Sequence, residues 1–275
     1  MKFKGKIIIS DIDGTYTGSA DGVRKNNEAI EYFKSEGGLF TFATGRVEYS
    51  VKSVVPDFFE LTNAPAVMSN GSYLYDVKTD TRINEICVDA SYALPFLKGL
   101  KDEMPDIGIR INRGKGYMTP EINPAAYKDL KNYISNVKTY DFDDMPTDGW
   151  NKIVLVGSRE QVTAASEYVR ENGGYEKFAV SFSCPTLLEL LDPAATKGNQ
   201  VRYMKKMLGD YTTYCCGDFE NDEDMLKKAD FAVVPSSGMD KIVAIADIVT
   251  CHCMDGTIAY LVDMLDKEKD SPSAS

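Results

Sequence analysis

Short apolar runs alternate with helix-like patterns at both ends of this chain of 275 residues. Near the start, strand-like runs at 6–10, 39–43 and 66–69 are separated by helix-like patterns at 26–36 and 46–55. The alternation returns near the end, with strand-like runs at 212–216, 231–234 and 247–250 and helix-like patterns at 222–229, 241–246 and 256–267. Strands that alternate with helices are typical of a parallel sheet covered by helices. Both ends are therefore expected to build one α/β core.

The middle of the chain has a different pattern. Helices are predicted at 91–103, 124–135 and 158–172, and strands at 107–112, 116–119, 152–157, 177–184 and 187–191. This mixture indicates an α+β domain inserted into the core, and the length fits about two domains. We expect the core at 1–81 and 191–275, the inserted domain at 82–190, and a frayed end from residue 267.

The charge balance excludes some classes of protein. A net charge of −11 disfavours a nucleic-acid binder or a protein of anionic membrane surfaces, because both need clustered Lys and Arg. The apolar run at 7–9 is too short for a signal peptide or a membrane span, and we expect a cytoplasmic protein. The cysteines, including Cys251 and Cys253 beside His252, are expected to be ordinary thiols, since no second ligand pair completes a zinc site. Nothing indicates an obligate protein partner.

The strongest local signal is Asp11-Ile12-Asp13-Gly14-Thr15, directly after the first predicted strand. Ligands of open α/β sheets lie beyond the carboxyl ends of the strands, and carboxylates two residues apart can project to the same side. An Asp-Gly turn with a spare aspartate is the alternative, because both residue types are common in turns.

Two further segments could bind an anion. Thr44-Gly45-Arg46 follows the second predicted strand and offers a hydroxyl and the amides of a helix start, although Thr and Gly are also ordinary capping and turn residues. Thr196-Lys197-Gly198 places a cation in the first turn of a helix, where the helix dipole disfavours it unless an anion is bound. A solvated lysine is the alternative.

The fourth segment, Gly217–Asp222, follows the predicted strand at 212–216. The alternative interpretation of this segment is a turn that precedes a helix with acidic residues in its first turn. Asp218, however, ends a strand as Asp11 and Asp13 do, and carboxylates packed together repel each other unless a cation is bound. Oxygen ligands of this kind suit Mg²⁺.

These four segments, in this order, resemble the haloacid dehalogenase (HAD) superfamily, and the chain from 6 to 265 is similar to its Cof-like phosphatases with a type IIB cap. The resemblance implies an α/β fold with a Rossmann-like parallel-sheet core and an inserted α+β cap. The segment Ser69-Asn70-Gly71 and the late Asp255-Gly256-Thr257 also look like family segments. The implied substrate is a small phosphorylated metabolite similar to a sugar phosphate.

The resemblance also implies residue roles. Asp11 matches the nucleophile that forms an aspartyl-phosphate, and Asp13 matches the general acid and base. Mg²⁺ would be bound by the side chains of Asp11 and Asp218 and by the backbone carbonyl of Asp13. Phosphate oxygens would be held by Thr44 and Lys197. The supporting positions are Gly45, Arg46, Asn221 and Asp222, of which the last two would orient Lys197 and the metal's waters.

Candidate substrate contacts in the cap are Arg110, Arg113 and Lys115, for which a solvated hairpin turn is the favoured alternative. The chain departs from the family at two places: Tyr16-Thr17 replaces small aliphatic residues, and Val234-Pro235-Ser236-Ser237 replaces a Gly-Asn-Ala turn. Both concern the side of substrate entry rather than the phosphoryl chemistry.

Three functions are compatible with these residues. The first is a Mg²⁺-dependent phosphatase of a small metabolite. The second is a phosphomutase that uses the same aspartyl-phosphate and returns the phosphate to the sugar. The third is a metabolite-binding or regulatory protein, which is disfavoured because every charged position of the four motifs is present.

Overall fold

The computed structural model describes residues 1–270, except for the side chains at 133 and 268–270. It consists of two compact units. Of the described residues, 1–84 and 196–270 form the first unit, and Glu85–Ala195 form the second.

The first unit begins with eight α-helices and strands before the chain leaves it. They are β1 (Lys6–Ser10), α1 (Ala20–Ser35), β2 (Leu39–Phe42), α2 (Glu48–Val51), α3 (Phe58–Leu61), β3 (Ala66–Met68), β4 (Tyr73–Asp76) and β5 (Thr81–Ile83). Helix α1 starts earlier than the predicted residue 26, because the Ser19 side chain accepts a hydrogen bond from the Gly22 amide and caps the helix there.

The second unit has nine α-helices and strands. They are α4 (Ala90–Glu103), β6 (Gly108–Arg113), β7 (Gly116–Thr119), α5 (Pro124–Leu130), β8 (Val137–Thr139), β9 (Trp150–Val156), α6 (Arg159–Glu171), β10 (Ala179–Cys184) and β11 (Leu187–Leu191). Its mixed six-stranded sheet has the order β10-β11-β9-β6-β7-β8. The predicted capping box of Ser158 and Gln161 opens α6. This unit has its own apolar core, in which Leu97, Ile109, Trp150 and Leu188 are buried.

The chain then returns to the first unit with seven α-helices and strands. They are α7 (Lys197–Leu208), β12 (Thr212–Cys216), α8 (Glu223–Lys228), β13 (Phe231–Pro235), α9 (Asp240–Val243), β14 (Ile248–Thr250) and α10 (Thr257–Asp270). Helix α10 therefore continues past the predicted end at 267, and the rest of the predicted frayed segment, 271–275, lies outside the described residues.

The main sheet of the first unit is parallel, in the order β14-β13-β12-β1-β2, so the predicted α/β class is confirmed. The three isoleucines of β1 are fully buried. Ile8 packs in the cluster that contains residues of α1 and α10, whereas Ile7 and Ile9 pack in the cluster of α7 and α8. Helices thus cover both faces of the sheet, which explains why the three central residues of β1 are all apolar.

Two expectations for the region after β2 are wrong. The run at 66–69 does not add a strand to the main sheet: β3 pairs antiparallel with β4, and β4 with β5, while only a single parallel bridge joins Ala43 to Val67. The helix predicted at 46–55 is reduced to the four residues of α2. Residues 52–54 form hydrogen-bonded turns instead of further α-helix, while Val51 and Val55 on either side of them are buried in the core.

No helix among residues 1–270 combines the length and the apolar composition needed to cross a lipid bilayer.

Candidate active site

Three neighbouring strands of the main sheet end beside one another. Strand β1 lies between β12 and β2, so the segments that follow these strands meet at one edge. The Asp11 amide donates to the Cys216 carbonyl at 2.8 Å, and the Ala43 amide donates to the Ser10 carbonyl at 2.8 Å. The ladder therefore fixes Asp11 between the start of the loop at 217–222 and the loop that carries Thr44.

Lys197 is the buried cation of this site. Its Nζ lies 2.6 Å from Asp11 Oδ1 and 2.7 Å from Asp222 Oδ1, and only 1% of the residue is exposed. The side chain of Thr196 accepts a hydrogen bond from the Asn199 amide and caps α7. This cap fixes the start of the helix, and Lys197 is its first residue. Burial opposes the charge, but the two carboxylates outweigh it and raise the pKa of Lys197, so the lysine is a cation.

The turn after Asp11 brings the loop at 12–16 against Asp218. Thr15 Oγ1 donates to Asp218 Oδ1 at 2.6 Å. Gly14 has φ +89°, and a Cβ at this position would lie 2.5 Å from Asp218 Oδ2. Glycine is therefore required both by the backbone conformation and by the approach of the carboxylate.

Carboxylate oxygens of Asp11, Asp218 and Asp222 lie within 4.8 Å of one another. Burial raises the pKa values of Asp11 and Asp218, nearby carboxylates add to this, and Lys197 opposes it in both cases. Asp222 accepts a hydrogen bond from Lys197 at Oδ1, and it accepts hydrogen bonds from the backbone amides of Asp218 and Phe219 at Oδ2. A second cation beside Asp11 and Asp218 would relieve their repulsion, and an all-oxygen donor set fits Mg²⁺.

The loop after β2 supplies Thr44 and Arg46. Thr44 is buried, and its Oγ1 accepts from the Arg46 amide at 3.2 Å. The guanidinium of Arg46 donates from Nε and Nη2 to the two carboxylate oxygens of Asp13, at 2.9 and 2.8 Å. Asp13 itself is exposed and lies outside the cluster of three carboxylates.

Asn221 has a partner that was not predicted. Its Nδ2 donates to Asn70 Oδ1 at 3.3 Å, whereas Asp222 holds Lys197. Asn70 also packs on Gly45, since a Cβ on that glycine would lie 2.8 Å from Asn70 Oδ1. Sequence reasoning noted Ser69-Asn70-Gly71 only as a family-like segment; the short Ser-Asn-Gly turn after a strand was the available signal.

The candidate substrate residues of the second unit pair with acids of that unit. Arg110 Nη1 lies 2.7 Å from Asp129 Oδ2, with both side chains largely buried. Arg113 Nη2 lies 2.7 Å from Asp148 Oδ2. Lys115 is exposed in the turn between β6 and β7. A role of these three residues in substrate contact stays a prediction.

Comparison with known proteins gives consistent matches over nearly the whole chain. A family model described as haloacid dehalogenase-like hydrolase matches residues 8–262. The phosphatase YwpJ of Bacillus subtilis is 24% identical, over 94% of this chain and 99% of its own. A 5-amino-6-(5-phospho-D-ribitylamino)uracil phosphatase of the same organism is 22% identical, over 94% of this chain and 98% of its own.

Solved structures share the fold. A haloacid dehalogenase-like hydrolase from Bacteroides thetaiotaomicron superposes with a TM-score of 0.79 at 21% identity, covering 95% of this chain and 100% of that one. A HAD subclass IIB sugar phosphatase superposes with a TM-score of 0.74 at 17% identity, covering 95% of this chain and 99% of the other.

Proposed function

Since the chain belongs to the haloacid dehalogenase-like hydrolases, the family that its four motifs resemble, we propose that it is a Mg²⁺-dependent phosphatase of a small phosphorylated metabolite. The observation that carries the proposal is the position of Lys197, which joins Asp11 to Asp222 in a buried site beside Asp218. A nucleophilic carboxylate approaching a phosphate group is repelled, so such a site has to supply positive charge.

Asp11 is the proposed nucleophile. Lys197 engages its Oδ1 and so fixes the orientation of the carboxylate. The other oxygen attacks phosphorus, the bond between phosphorus and the ester oxygen breaks, and an aspartyl-phosphate forms. Attack by water on phosphorus then breaks the bond to Asp11, releases inorganic phosphate and regenerates the carboxylate.

Asp13 is the proposed general acid and base. In the first step it gives a proton to the departing alkoxide, and in the second it takes a proton from the attacking water. Its position two residues from Asp11, in an exposed part of the loop, suits a group that meets solvent and leaving group. Arg46 orients this carboxylate through both oxygens.

Positive charge and hydrogen-bond donors complete the site. Lys197 and the Thr44 hydroxyl would hold phosphate oxygens as charge shifts during transfer. Asp11, Asp218 and the carbonyl of Asp13 would hold the divalent ion, with Asp222 fixing the loop that carries Asp218. Bound Mg²⁺ would neutralise charge on the phosphoryl oxygens.

The proposed class of substrate is supported by the names of similar proteins. Names of similar proteins include phosphatases of a phosphorylated ribitylaminouracil and of sugars. The net charge of −11 does not oppose a small phosphate ester, because Lys197 and the bound ion supply the positive charge locally.

Hydrolysis of p-nitrophenyl phosphate and of a panel of phosphorylated metabolites, with and without Mg²⁺, tests the proposal. We expect Mg²⁺-dependent release of inorganic phosphate by the wild type and its loss in Asp11→Asn. Wild-type rates in Asp11→Asn and Asp13→Asn would show that the mechanism is wrong. An isomerised sugar phosphate without release of inorganic phosphate would identify a phosphomutase instead.

A further inference from the structure

The turn Ser69–Gly71 has an unusual backbone. Its three residues all have positive φ, at +51°, +56° and +103°, and two of them are not glycine. Such conformations cost free energy and persist only where the surroundings impose them, often at functional sites. The contacts of this turn therefore indicate which neighbouring segments impose its backbone conformation.

One side of the turn contacts the loop that carries Thr44. The Asn70 amide donates to the Thr44 carbonyl at 3.0 Å, and the Ser69 amide donates to the Arg46 carbonyl at 2.8 Å. The Asn70 side chain packs on Gly45, whose missing Cβ leaves the space for it. The turn thus bonds the backbone carbonyls of Thr44 and Arg46 and packs its Asn70 side chain against Gly45 between them.

The other side of the turn contacts the start of α7. A Cβ on Gly71 would lie 2.2 Å from the carbonyl carbon of Thr196 and 2.8 Å from the amide nitrogen of Lys197. The fully buried Gln200, one turn further along α7, donates from Nε2 to the Gly71 carbonyl at 2.8 Å. The position of the turn therefore limits where the backbone of Lys197 can lie.

The side chain of Asn70 reaches a third segment. Its Oδ1 accepts from Nδ2 of Asn221, in the loop that also carries Asp218. One turn of three residues thus contacts the loops of Thr44 and Asn221 and the helix of Lys197. These are three of the four segments of the candidate site.

We propose that Asn70 is a positioning residue for phosphoryl transfer, which holds the loop at 44–46 and Asn221 in register with the start of α7. This inference rests on the proposed function. Because a misplacement of about 1 Å in a reacting group can lower a rate by about a hundredfold, loss of this link reduces kcat without removing a group that touches substrate.

Asn70→Gly is the sharpest test, because glycine accepts positive φ and lacks the side-chain amide. Asp80→Gly is the matched control: Asp80 also has positive φ, at +53°, and its side chain accepts a hydrogen bond from Tyr75 in the hairpin of β4 and β5, which carries none of the four segments of the candidate site. We expect Asn70→Gly to lower kcat by about tenfold or more, with a shift in Tm of less than about 4 °C. Asp80→Gly keeps the wild-type kcat within about twofold.

A double-mutant cycle measures the link to Asn221. We expect Asn70→Gly and Asn221→Ala to combine with a smaller loss of kcat than the product of the two separate losses. Unchanged kcat in Asn70→Gly, or a fall in kcat accompanied by a comparable loss of stability, would overturn the inference. An additive cycle would show that Asn70 does not act through Asn221.

A failure of the inference on Asn70 can be distinguished from a failure of the proposed function. If the wild type hydrolyses no phosphate ester, the proposed function is wrong. Calorimetric binding of inorganic phosphate to the same variants then tests the inference alone. Weaker binding by Asn70→Gly than by Asp80→Gly supports it, and equal binding, or no binding by the wild type, overturns it.

Discussion

Arg46 donates to both carboxylate oxygens of Asp13, from Nε to Oδ2 at 2.9 Å and from Nη2 to Oδ1 at 2.8 Å. The two residues follow neighbouring strands, β2 and β1, so the sheet brings them together. Both side chains are partly exposed, at 33% and 55%. The pair is therefore expected to orient Asp13 more than it stabilises the fold.

Removal of Arg46 is expected to have an effect that depends on the leaving group. An alkoxide needs a proton as it departs, whereas p-nitrophenolate is stable without one. Arg46→Ala should therefore lower kcat for a sugar phosphate by roughly tenfold and change kcat for p-nitrophenyl phosphate much less. Steady-state kinetics with both substrates measures the difference.

Arg24→Ala is the control for this variant, since Arg24 also pairs with two carboxylates, Asp21 and Glu28, but on the exposed side of α1. It should leave both rates unchanged. Equal losses on both substrates in Arg46→Ala would contradict an action through Asp13.

Substitution of Lys197 tests the buried charge. Lys197→Met leaves the carboxylates of Asp11 and Asp222 buried without their cation. We expect a loss of about 3–5 kcal/mol in the free energy of unfolding and a fall in kcat of at least about a hundredfold. Urea unfolding and phosphate release give the two values.

Lys205→Met serves as the reference for a single ion pair, because Lys205 and its partner Asp230 are both partly exposed. Its cost should stay below about 1 kcal/mol. If Lys197→Met were no more destabilising than Lys205→Met, the buried arrangement of charges would be wrong.

The response to pH tests the carboxylate pair. The pKa values of Asp11 and Asp218 are raised, mainly by burial, so the folded metal-free protein holds protons that the unfolded chain releases above a pH of about 4. Their contribution to stability is present at low pH and is lost as the pH rises through the raised values. Mg²⁺ bound to these carboxylates would need them ionised and would offset this loss.

The gain in Tm from Mg²⁺ should therefore increase as the pH rises from about 5 to about 8, and thermal unfolding with and without Mg²⁺ measures it. Asp218→Asn should reduce the gain at every pH. A gain that stays constant over this range would argue against a site built on these carboxylates.

Much of the core was predictable because its signals are local. Ile7, Ile8 and Ile9 are buried on both faces of the sheet, as a continuous apolar run in a parallel sheet predicts. Asp11 and Asp218 lie together because strands β1 and β12 are neighbours, and the common edge of strand ends follows from the fold class.

The relationships that sequence reasoning missed depend on tertiary contacts between short segments. The pairing of β3 with β4 was not predicted, because three apolar residues fit either sheet. The pair of Arg46 with Asp13 and the contact of Asn70 with Asn221 link residues 33 and 151 positions apart. Contacts between residues so far apart in the sequence leave no helical or strand periodicity from which they could be predicted.

A second buried charge cluster lies just after Arg46, and its energetics can be tested separately. Glu48 in α2 accepts from Tyr73 Oη at 2.5 Å and from Arg82 Nη2 at 2.7 Å. The Arg82 guanidinium also stacks over the Tyr73 ring at 4.1 Å. Glu48 and Arg82 are largely buried, so removal of one leaves the charge of the other poorly compensated.

Arg82→Met should therefore lower the free energy of unfolding by about 3 kcal/mol. In the double variant Glu48→Gln with Arg82→Met the buried negative charge is gone as well, and part of this loss should be recovered. Urea unfolding of the two single variants and the double variant measures the coupling. If the double variant were as unstable as the sum of the single losses, Glu48 and Arg82 would not be acting as a pair, and α2 would have to be held by its apolar contacts alone.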